Sequence, residues 1–260
     1  MTGSDHSRHH QAIVDQFSRQ AVPFARKMEQ AQQEALELML QISGVTAKDQ
    51  VLDMACGPGL VACAFAARAR HVTGIDLTPA MIEQARRRQQ KLGLTNLDWV
   101  RGDVLPLPYG DAAFSLVITR FSFHHFLNPK AVFAEMVRVC LPKGGVMVVD
   151  VALPADKREA FNRMEKLRDP SHTRTLTPAE MMDMAHGLGL KNIKTHSYYL
   201  ALEMEQQLQA SFPNPGDEEK IRKMLREDVG QDHLGVGAHR QGDEIHLAYP
   251  IMILMGRKGP

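Results

Sequence analysis

Short apolar segments alternate with longer helical patterns between about residues 50 and 150. Residues 51–55 and 71–76 are typical of buried strands, and a segment with helical spacing follows each of them. Three more strands are predicted in LDWVRG, AFSLVIT and GGVMVVD. This alternation predicts βαβ units and a parallel sheet covered on both faces. Ligands bind beyond the carboxyl ends of such strands, so the residues at those ends are the first candidates for a functional site.

A glycine-rich turn, DMACGPG, follows the first predicted strand and precedes a helix. Gly57 and Gly59 begin the loose dinucleotide pattern G-x-G-x-x-G/A, and Asp76 lies 19 residues after Gly57. A pyrophosphate needs backbone N–H donors and the positive end of a helix. Pro58 supplies no N–H, and Asp53 places a carboxylate at the strand end. S-adenosylmethionine (SAM) carries a sulfonium and an ammonium but no phosphate, so the acid favours SAM, although the loop alone leaves a dinucleotide open.

Two further acids are predicted to end neighbouring strands. Asp76 ends the second strand, where its carboxylate can accept both hydroxyls of a ribose. The alternative is a cap for the next helix, for which Thr78 is better placed. Asp103 follows the third strand and can accept from an adenine amino group while the Val104 amide donates to a ring nitrogen; an Asx-turn is the alternative. Because Asp53 ends the first strand, three acids converge on one crevice, which favours the ligand interpretation.

Four segments in order resemble the motifs of class I SAM-dependent methyltransferases: VLDMACGPG, GIDLTPAM, GDVLPLPYGDAAFSLV and RVCLPKGGVMVVD. The sequences FHHF at 123–126 and DPSH at 169–172 are similar to the small-molecule branch related to the ubiquinone/menaquinone biosynthesis C-methyltransferases. The resemblance covers about residues 10–200 and the last predicted strand, YPIMILMG at Tyr249–Gly256. Ala55 stands where the family usually has its first glycine, so we expect a slightly tighter loop with cofactor binding intact.

The resemblance implies an α/β fold with a Rossmann-like, doubly wound sheet of seven strands in the order 3-2-1-4-5-7-6, the last strand antiparallel, and a helical cap. It divides the chain into an N-terminal helical cap or lid at residues 1–45, with a helix break near Pro23, and a SAM-binding domain at 46–260 with a substrate-cap insertion at about 203–244. SAM is the expected cofactor and S-adenosylhomocysteine its product. The expected cofactor-binding residues are Asp53, Ala55, Gly57, Gly59, Asp76, Leu77, Met81, Gly102, Asp103, Val104, Thr119 and Arg120. The alternatives are that Met81 packs in the core and that Arg120 pairs with a nearby Asp.

Two adjacent histidines are the candidates for catalysis. Methyl transfer from a sulfonium depends on alignment, and a neutral amine or phenol acceptor also needs a base. His124 and His125 follow the fourth predicted strand, and histidine suits that role near neutral pH. His125 is preferred because related enzymes place a catalytic histidine five residues after an arginine positioned like Arg120, and His124 is the reserve. The alternative is a structural pair that caps the turn.

Segments outside the sheet are expected to select the substrate. Phe17 and Phe24 are expected to close over the cofactor as part of the lid and to exclude water. The resemblance places His172 and Arg174 on a substrate-side loop, with a turn held by local hydrogen bonds as the alternative. The expected acceptor is a compact small molecule, largely apolar or aromatic, with one ionisable nucleophile.

Charge and composition limit the partners. Lys and Arg total 31 and Asp and Glu total 30, a net charge of +1, which argues against holding a long nucleic-acid backbone. No apolar segment reaches the roughly 18 residues of a membrane span. The three cysteines indicate no disulfide framework, and a cytoplasmic location is expected. No C-x-x-C motif is present, and no H-x-x-x-H or H-E-x-x-H motif is predicted on a helix, so no metal site is expected.

Three functions compete at this stage. The leading one is a methyltransferase acting on a small metabolite in biosynthesis. An RNA or protein methyltransferase is disfavoured by the balanced charge and by the lack of an Asn-Pro-Pro-Tyr-type motif. A SAM-binding protein with a regulatory role, or with another reaction such as a pericyclic closure, keeps the same motifs. The acceptor atom and the oligomeric state, including a homodimer, stay open.

Overall fold

The computed structural model describes the backbone of residues 3–260 and the side chains of residues 5–21 and 32–260. The strands are β1 (Gln50–Met54), β2 (His71–Asp76), β3 (Leu97–Arg101), β4 (Phe114–Arg120), β5 (Cys140–Val151), β6 (Lys191–Glu203), β7 (His239–Gln241) and β8 (Glu244–Arg257). The helices are α1 (Gly3–Ala31), α2 (Gln33–Ser43), α3 (Leu60–Ala66), α4 (Pro79–Leu92), α5 (Pro129–Val139), α6 (Ala155–Arg168), α7 (Pro178–Gly187), α8 (Met204–Gln209) and α9 (Asp217–Asp228). A 3-10 turn covers Phe123–His125.

The first five strands form a parallel sheet in the order β3-β2-β1-β4-β5. Val51 of β1 lies opposite Val72 of β2 on one side and Leu116 of β4 on the other. The central strands β1 and β4 and the second half of β5 are almost continuously buried, because helices cover both faces of the sheet. The strand order reverses between β1 and β4, so the crevice beyond their carboxyl ends is where this topology places a ligand.

The last strand completes the sheet from within. β8 lies between β5 and β6 and is antiparallel to both. The predicted fold and strand order are therefore confirmed, with one addition: the short strand β7, which pairs with β8. β8 begins at Glu244, five residues before the predicted strand start at Tyr249.

Two segments outside the sheet lie close to the crevice or extend from it. The N-terminal helices α1 and α2 are separated at Gln32 and not near Pro23, because α1 continues to Ala31. A proline removes one helical hydrogen bond and often bends a helix without ending it. Between β6 and β8 the chain forms α8, α9, a glycine-containing loop and β7. Among the described residues, no helix is long and apolar enough to cross a membrane.

Candidate active site

A cavity of about 400 Å³ lies beyond the carboxyl ends of β1, β2, β3 and β4 and is covered by α1. We call it the larger cavity, to distinguish it from a smaller one beside it, and it has the size of a small-molecule site. The expected cofactor-binding residues that line it are Ala55, Gly57, Asp76, Leu77, Met81, Gly102, Asp103, Val104 and Arg120. Asp53, Gly59 and Thr119 are not in its lining.

The turn after β1 is held open by left-handed backbone conformations. Ala55, Gly57 and Gly59 have φ values of 51°, 52° and 76°. The Gly57 N–H donates to Asp76 Oδ2 over 2.8 Å, which ties this turn to the end of β2. Alanine reaches this region only with some strain, whereas glycine does not. Ala55 thus takes a backbone conformation that glycine would adopt without strain.

Gly59 is required for packing beneath the cavity. A Cβ built on Gly59 would lie 2.6 Å from the ring of Trp99 and 2.9 Å from Cβ of Ala85. Gly59 therefore lets α3 begin directly against β3 and α4. Gly59 thus allows close packing of a helix against a strand, the role that the third glycine of the fingerprint has in dinucleotide-binding folds.

Asp76 and Asp53 occupy different levels of the site. Asp76 lines the larger cavity, and its two carboxylate oxygens accept the N–H groups of Gly57 and Thr78. Each oxygen retains a second lone pair, so these backbone contacts are compatible with the ligand role. Asp53 is only 1% exposed and has Oδ2 without a partner. Burial raises the pKa of Asp53 to about 8, and the charge of Asp76 acts in the same direction.

Arg120 is a buried cation at the wall of the larger cavity. Its guanidinium donates to the hydroxyl of Tyr198 over 3.2 Å and lies 4.4 Å from the centre of the Phe121 ring. Its Nε has no partner, and no ion pair joins Arg120 to any acid within the side chains that the structure describes. Phe121 has φ 55°, an outlier for a bulky side chain. Such strain is concentrated at functional sites.

Asp103 is held by its own loop and faces α1. Its Oδ1 accepts the N–H groups of Val104 and Leu105 over 2.6 and 3.3 Å, which is the turn considered as the alternative. Its Oδ2 lies 3.2 Å from Nε2 of His10 and 3.8 Å from Nε2 of His6. Both histidines were missed from the sequence. The expectation that no H-x-x-x-H motif lies on a helix was wrong, because α1 begins at Gly3 and places His6 and His10, four residues apart, on one helical face.

A second cavity of about 110 Å³ adjoins the larger one. This smaller cavity shares Phe17, Phe121 and His125 with it. The rings of Phe17 and His125 meet edge to face, with their centres 5.0 Å apart. Phe17 and His125 therefore lie at the boundary between two contiguous spaces. Phe24, the other expected lid residue, lies outside the side chains that the structure describes.

His125 has a fixed orientation. Its Nδ1 lies 3.2 Å from the carbonyl oxygen and 3.1 Å from the hydroxyl oxygen of Ser171. Since Ser171 donates its own proton to Asp169 Oδ1 over 2.6 Å, its oxygen accepts from His125. This assigns the ring proton to Nδ1 and leaves the lone pair on Nε2. Burial lowers the pKa of His125 to about 4, and the neighbouring His124 acts in the same direction.

His124 has the opposite character. Its Nδ1 lies 2.6 Å from Asp150 Oδ1, while Asp150 Oδ2 accepts the N–H of Phe123 over 2.7 Å. Burial opposes the charged form, but the charge and hydrogen bond of Asp150 raise the pKa of His124. The pKa of Asp150 is lowered: burial acts against this, and the charge of His124 outweighs it. Each partner therefore favours the charged form of the other, and His124 lines the smaller cavity.

The DPSH segment supports the two histidines. Thr173 donates its N–H and its hydroxyl to the carbonyl of His124, each over 2.8 Å. His172 lines the smaller cavity, with Nε2 2.9 Å from Asn162 Oδ1 and Nδ1 without a partner. Arg174 lines neither cavity and pairs with Glu180 over 2.8 Å. Arg174 therefore forms a local ion pair and contacts neither cavity.

Comparison with known proteins agrees with this geometry. Residues 51–144 match the family described as a methyltransferase domain. The fold, the cavity at the point where the strand order reverses, and this match support a SAM-dependent methyltransferase, and the chain resembles class I of these enzymes, as the sequence motifs indicated. It resembles in particular the ubiquinone/menaquinone biosynthesis C-methyltransferase of Roseobacter denitrificans, with 32% identity over 117 residues. That match covers 44% of this chain and 47% of the relative, about half the length of each.

A longer match is to the uncharacterized methyltransferase YcgJ of Bacillus subtilis. The two chains are 28% identical over 248 residues, 93% of this chain and 97% of YcgJ. The crystal structure of YcgJ aligns with a TM-score of 0.80 at 24% identity, covering 87% of this chain and 99% of that one. The [4+2]-cyclase SpnF shares the fold with a TM-score of 0.60 at 20% identity, covering 87% of this chain and 81% of that one. The fold alone therefore does not identify the reaction.

Proposed function

We propose that this protein transfers a methyl group from SAM to a small, largely apolar or aromatic metabolite, with His125 as the general base and residues 1–45 as a lid over the site. The observation that carries the proposal is the position of His125 at the boundary between two contiguous cavities, with its ring proton held on Nδ1 by Ser171. The larger cavity would hold the cofactor and the smaller one the acceptor.

The residues of the larger cavity fit SAM. The Nε of Arg120, buried and without a partner, suits a carboxylate. Asp76 has lone pairs for ribose hydroxyls, and Met81 and Val104 offer apolar surface for a base. Pro58 at the glycine turn disfavours a pyrophosphate, because it supplies no N–H donor. When bound, SAM supplies a methyl group on a sulfonium, a leaving group that is already activated.

His125 and His124 have different roles in the proposed reaction. His125 takes a proton from the acceptor at Nε2, and the hydrogen bonds through Ser171 to Asp169 keep the ring in place. Asp150 favours the protonated form of His124, whose ring centre lies 4.2 Å from that of His125, and a positive charge there favours an acceptor that becomes negative as it loses its proton. Phe17 and Phe121 separate the boundary from solvent, which strengthens these electrostatic effects.

The lining of the smaller cavity favours an acceptor with both ring and hydroxyl character. Phe161 and Leu200 contribute apolar surface, and Glu165 is neutralised by Arg168. Three buried polar atoms in the lining have no partner, which is costly unless a ligand or water satisfies them. They are Nε2 of Gln20, Nδ1 of His172 and Oγ1 of Thr175. The relatives named for ubiquinone and menaquinone biosynthesis support a ring-bearing acceptor.

The proposal is tested with SAM labelled in its methyl group and a panel of phenols, quinols, amines, RNA and protein, with products detected by mass. Label in a small hydroxylated aromatic compound supports the proposal, and label only in RNA or protein overturns it. A thermal shift assay with SAM, S-adenosylhomocysteine and NAD precedes this test. A shift with NAD alone would refute the cofactor, and binding of SAM without transfer to any acceptor would support a non-methylating role.

His125→Gln tests the base. We expect a 10²- to 10⁴-fold loss of kcat, the usual contribution of a general base, with the Kd of SAM unchanged by calorimetry. His71→Gln is the control. His71 is a partly exposed histidine beside Asp98 at the start of β2, and it lines neither cavity. Equal turnover of wild type and His125→Gln at every pH would leave alignment and desolvation as the mechanism.

A further inference from the structure

Three potential metal ligands meet at the rim of the larger cavity. His6 and His10 lie one helical turn apart on α1, with ring centres 4.1 Å apart, and both face Asp103 in the loop after β3. One ligand atom from each of the three residues can be chosen so that all lie within 4.8 Å of one another. Neither the family motifs nor the proposed methyl transfer gives these two histidines a role.

The distances suit a tetrahedral ion. Zn²⁺ binds imidazole nitrogen and carboxylate oxygen at about 2.0–2.2 Å, so two ligands of a tetrahedral site lie about 3.3–3.6 Å apart. The separations of 3.2 and 3.8 Å from Asp103 Oδ2 to the two Nε2 atoms bracket that value. A hydrogen bond between His10 and Asp103 explains the shorter distance alone, but it does not explain why a second imidazole faces the same oxygen.

The loop presents one oxygen of Asp103 for this purpose. Oδ1 is engaged by the N–H groups of Val104 and Leu105, which fixes the carboxylate and directs Oδ2 toward α1. The three side chains are partly exposed, between 28% and 47%, so a hydrated ion can reach them and a fourth position stays open to water. Two imidazoles and one carboxylate are a ligand set for Zn²⁺ and similar divalent transition metals, not for Ca²⁺ or Mg²⁺.

We propose that His6, His10 and Asp103 form a site for a divalent transition-metal ion of the Zn²⁺ type. The ion would fasten the N-terminal end of α1 to the loop after β3 and so close the lid over the adenosine end of the larger cavity. This proposal does not depend on the identity of the methyl acceptor.

The test is a titration of the full chain, cleared of metals and free of SAM, with Zn²⁺ in a calorimeter. SAM is left out because Asp103 also belongs to the expected cofactor set. We expect one equivalent to bind, and His6→Ala, His10→Ala and Asp103→Asn each to weaken that binding at least 10-fold. Co²⁺ in place of Zn²⁺ gives a second measurement, because its visible absorption reports four-coordinate geometry.

His71→Ala is the matched control, since His71 and Asp98 form a histidine–aspartate pair, 3.0 Å apart, that lacks a second histidine. It is expected to leave the stoichiometry and the affinity unchanged. The circular dichroism spectrum of each variant establishes that it folds. The proposal is overturned if wild type binds no Zn²⁺, or if the three variants bind it as tightly as wild type does.

Discussion

Ala55 is held in a conformation that favours glycine. With φ 51° it lies in the left-handed region, which costs an L-residue about 1–2 kcal/mol. Glycine relieves that cost but gains freedom in the unfolded chain, worth about 0.4–1 kcal/mol. We therefore expect Ala55→Gly to raise the free energy of unfolding by about 0.5–1 kcal/mol in urea denaturation. Ala112→Gly, at φ 53° and outside both cavity linings, should gain a similar amount, and a loss in both variants would contradict this account.

Ser171 is expected to position His125 without touching the reactants. Ser171→Ala removes the oxygen that connects Asp169 to the ring, while the backbone carbonyl of residue 171 remains. A ring that is less well oriented should lower kcat about 10- to 100-fold with the Kd of SAM unchanged.

The pH profile separates positioning by Ser171 from a purely structural role. Activity of the wild type should fall as the pH approaches about 4, where His125 becomes protonated, and this limb should shift in Ser171→Ala. Ser115→Ala, which removes a hydroxyl bonded to Asp49 at the other end of the sheet, should change neither kcat nor the profile. A normal profile with reduced kcat would assign Ser171 to folding only.

Single residues show where sequence reasoning ends. Asp76 and Asp103 could be placed at the cavity because strand ends meet at one edge of a parallel sheet. Asp53 follows the same pattern, yet its side chain lies beneath the cavity floor, a difference in depth that periodicity does not encode. The contact of Ser171 with His125 joins residues 46 positions apart, and no local pattern specifies it.

At the scale of elements, α1 is expected to act as the lid. Phe17 reaches both cavities and packs against His125, so Phe17→Ala should open the boundary to water. We expect weaker SAM binding, by about 10-fold, together with a lower kcat, both measured at saturating acceptor. Arg19→Ala, on the exposed face of the same helix, is the control and should change neither. Unchanged SAM affinity in Phe17→Ala would argue against a lid.

The strands differed in how well the sequence predicted them, and the differences have physical reasons. β1, β2 and β4 are short, largely buried and bounded by turns, so their apolar residues were enough to predict their positions. β8 was predicted only from Tyr249, although residues 244–249 alternate between more and less buried positions where the strand extends past β5 and pairs with β6 and β7. That alternation is itself a strand signal. The three-residue β7 is too short to leave a periodic signal.

At the scale of the whole molecule, the near-zero net charge conceals acids buried under the site. Asp53 is the clearest case, because burial raises its pKa from 3.8 to about 8. Below about pH 4 the carboxyl is protonated in both folded and unfolded chains. Between about pH 4 and 8 the unfolded chain releases this proton and the folded chain retains it, so the free energy of unfolding falls as the pH rises.

Asp53→Asn removes this titration. We expect the variant to gain stability over wild type as the pH rises from 5 to 8, measured as Tm of the protein without SAM. Asp49→Asn is the control, because the pKa of Asp49 is shifted in the opposite direction. Burial acts to raise the pKa of Asp49, but hydrogen bonds from Ser115 and Thr46 lower it overall. Its loss of stability should be present at neutral pH and disappear below about pH 4. A difference between wild type and Asp53→Asn that is constant across this range would mean that Asp53 is ionised in the folded protein, with the Arg120 guanidinium as the charge that offsets it.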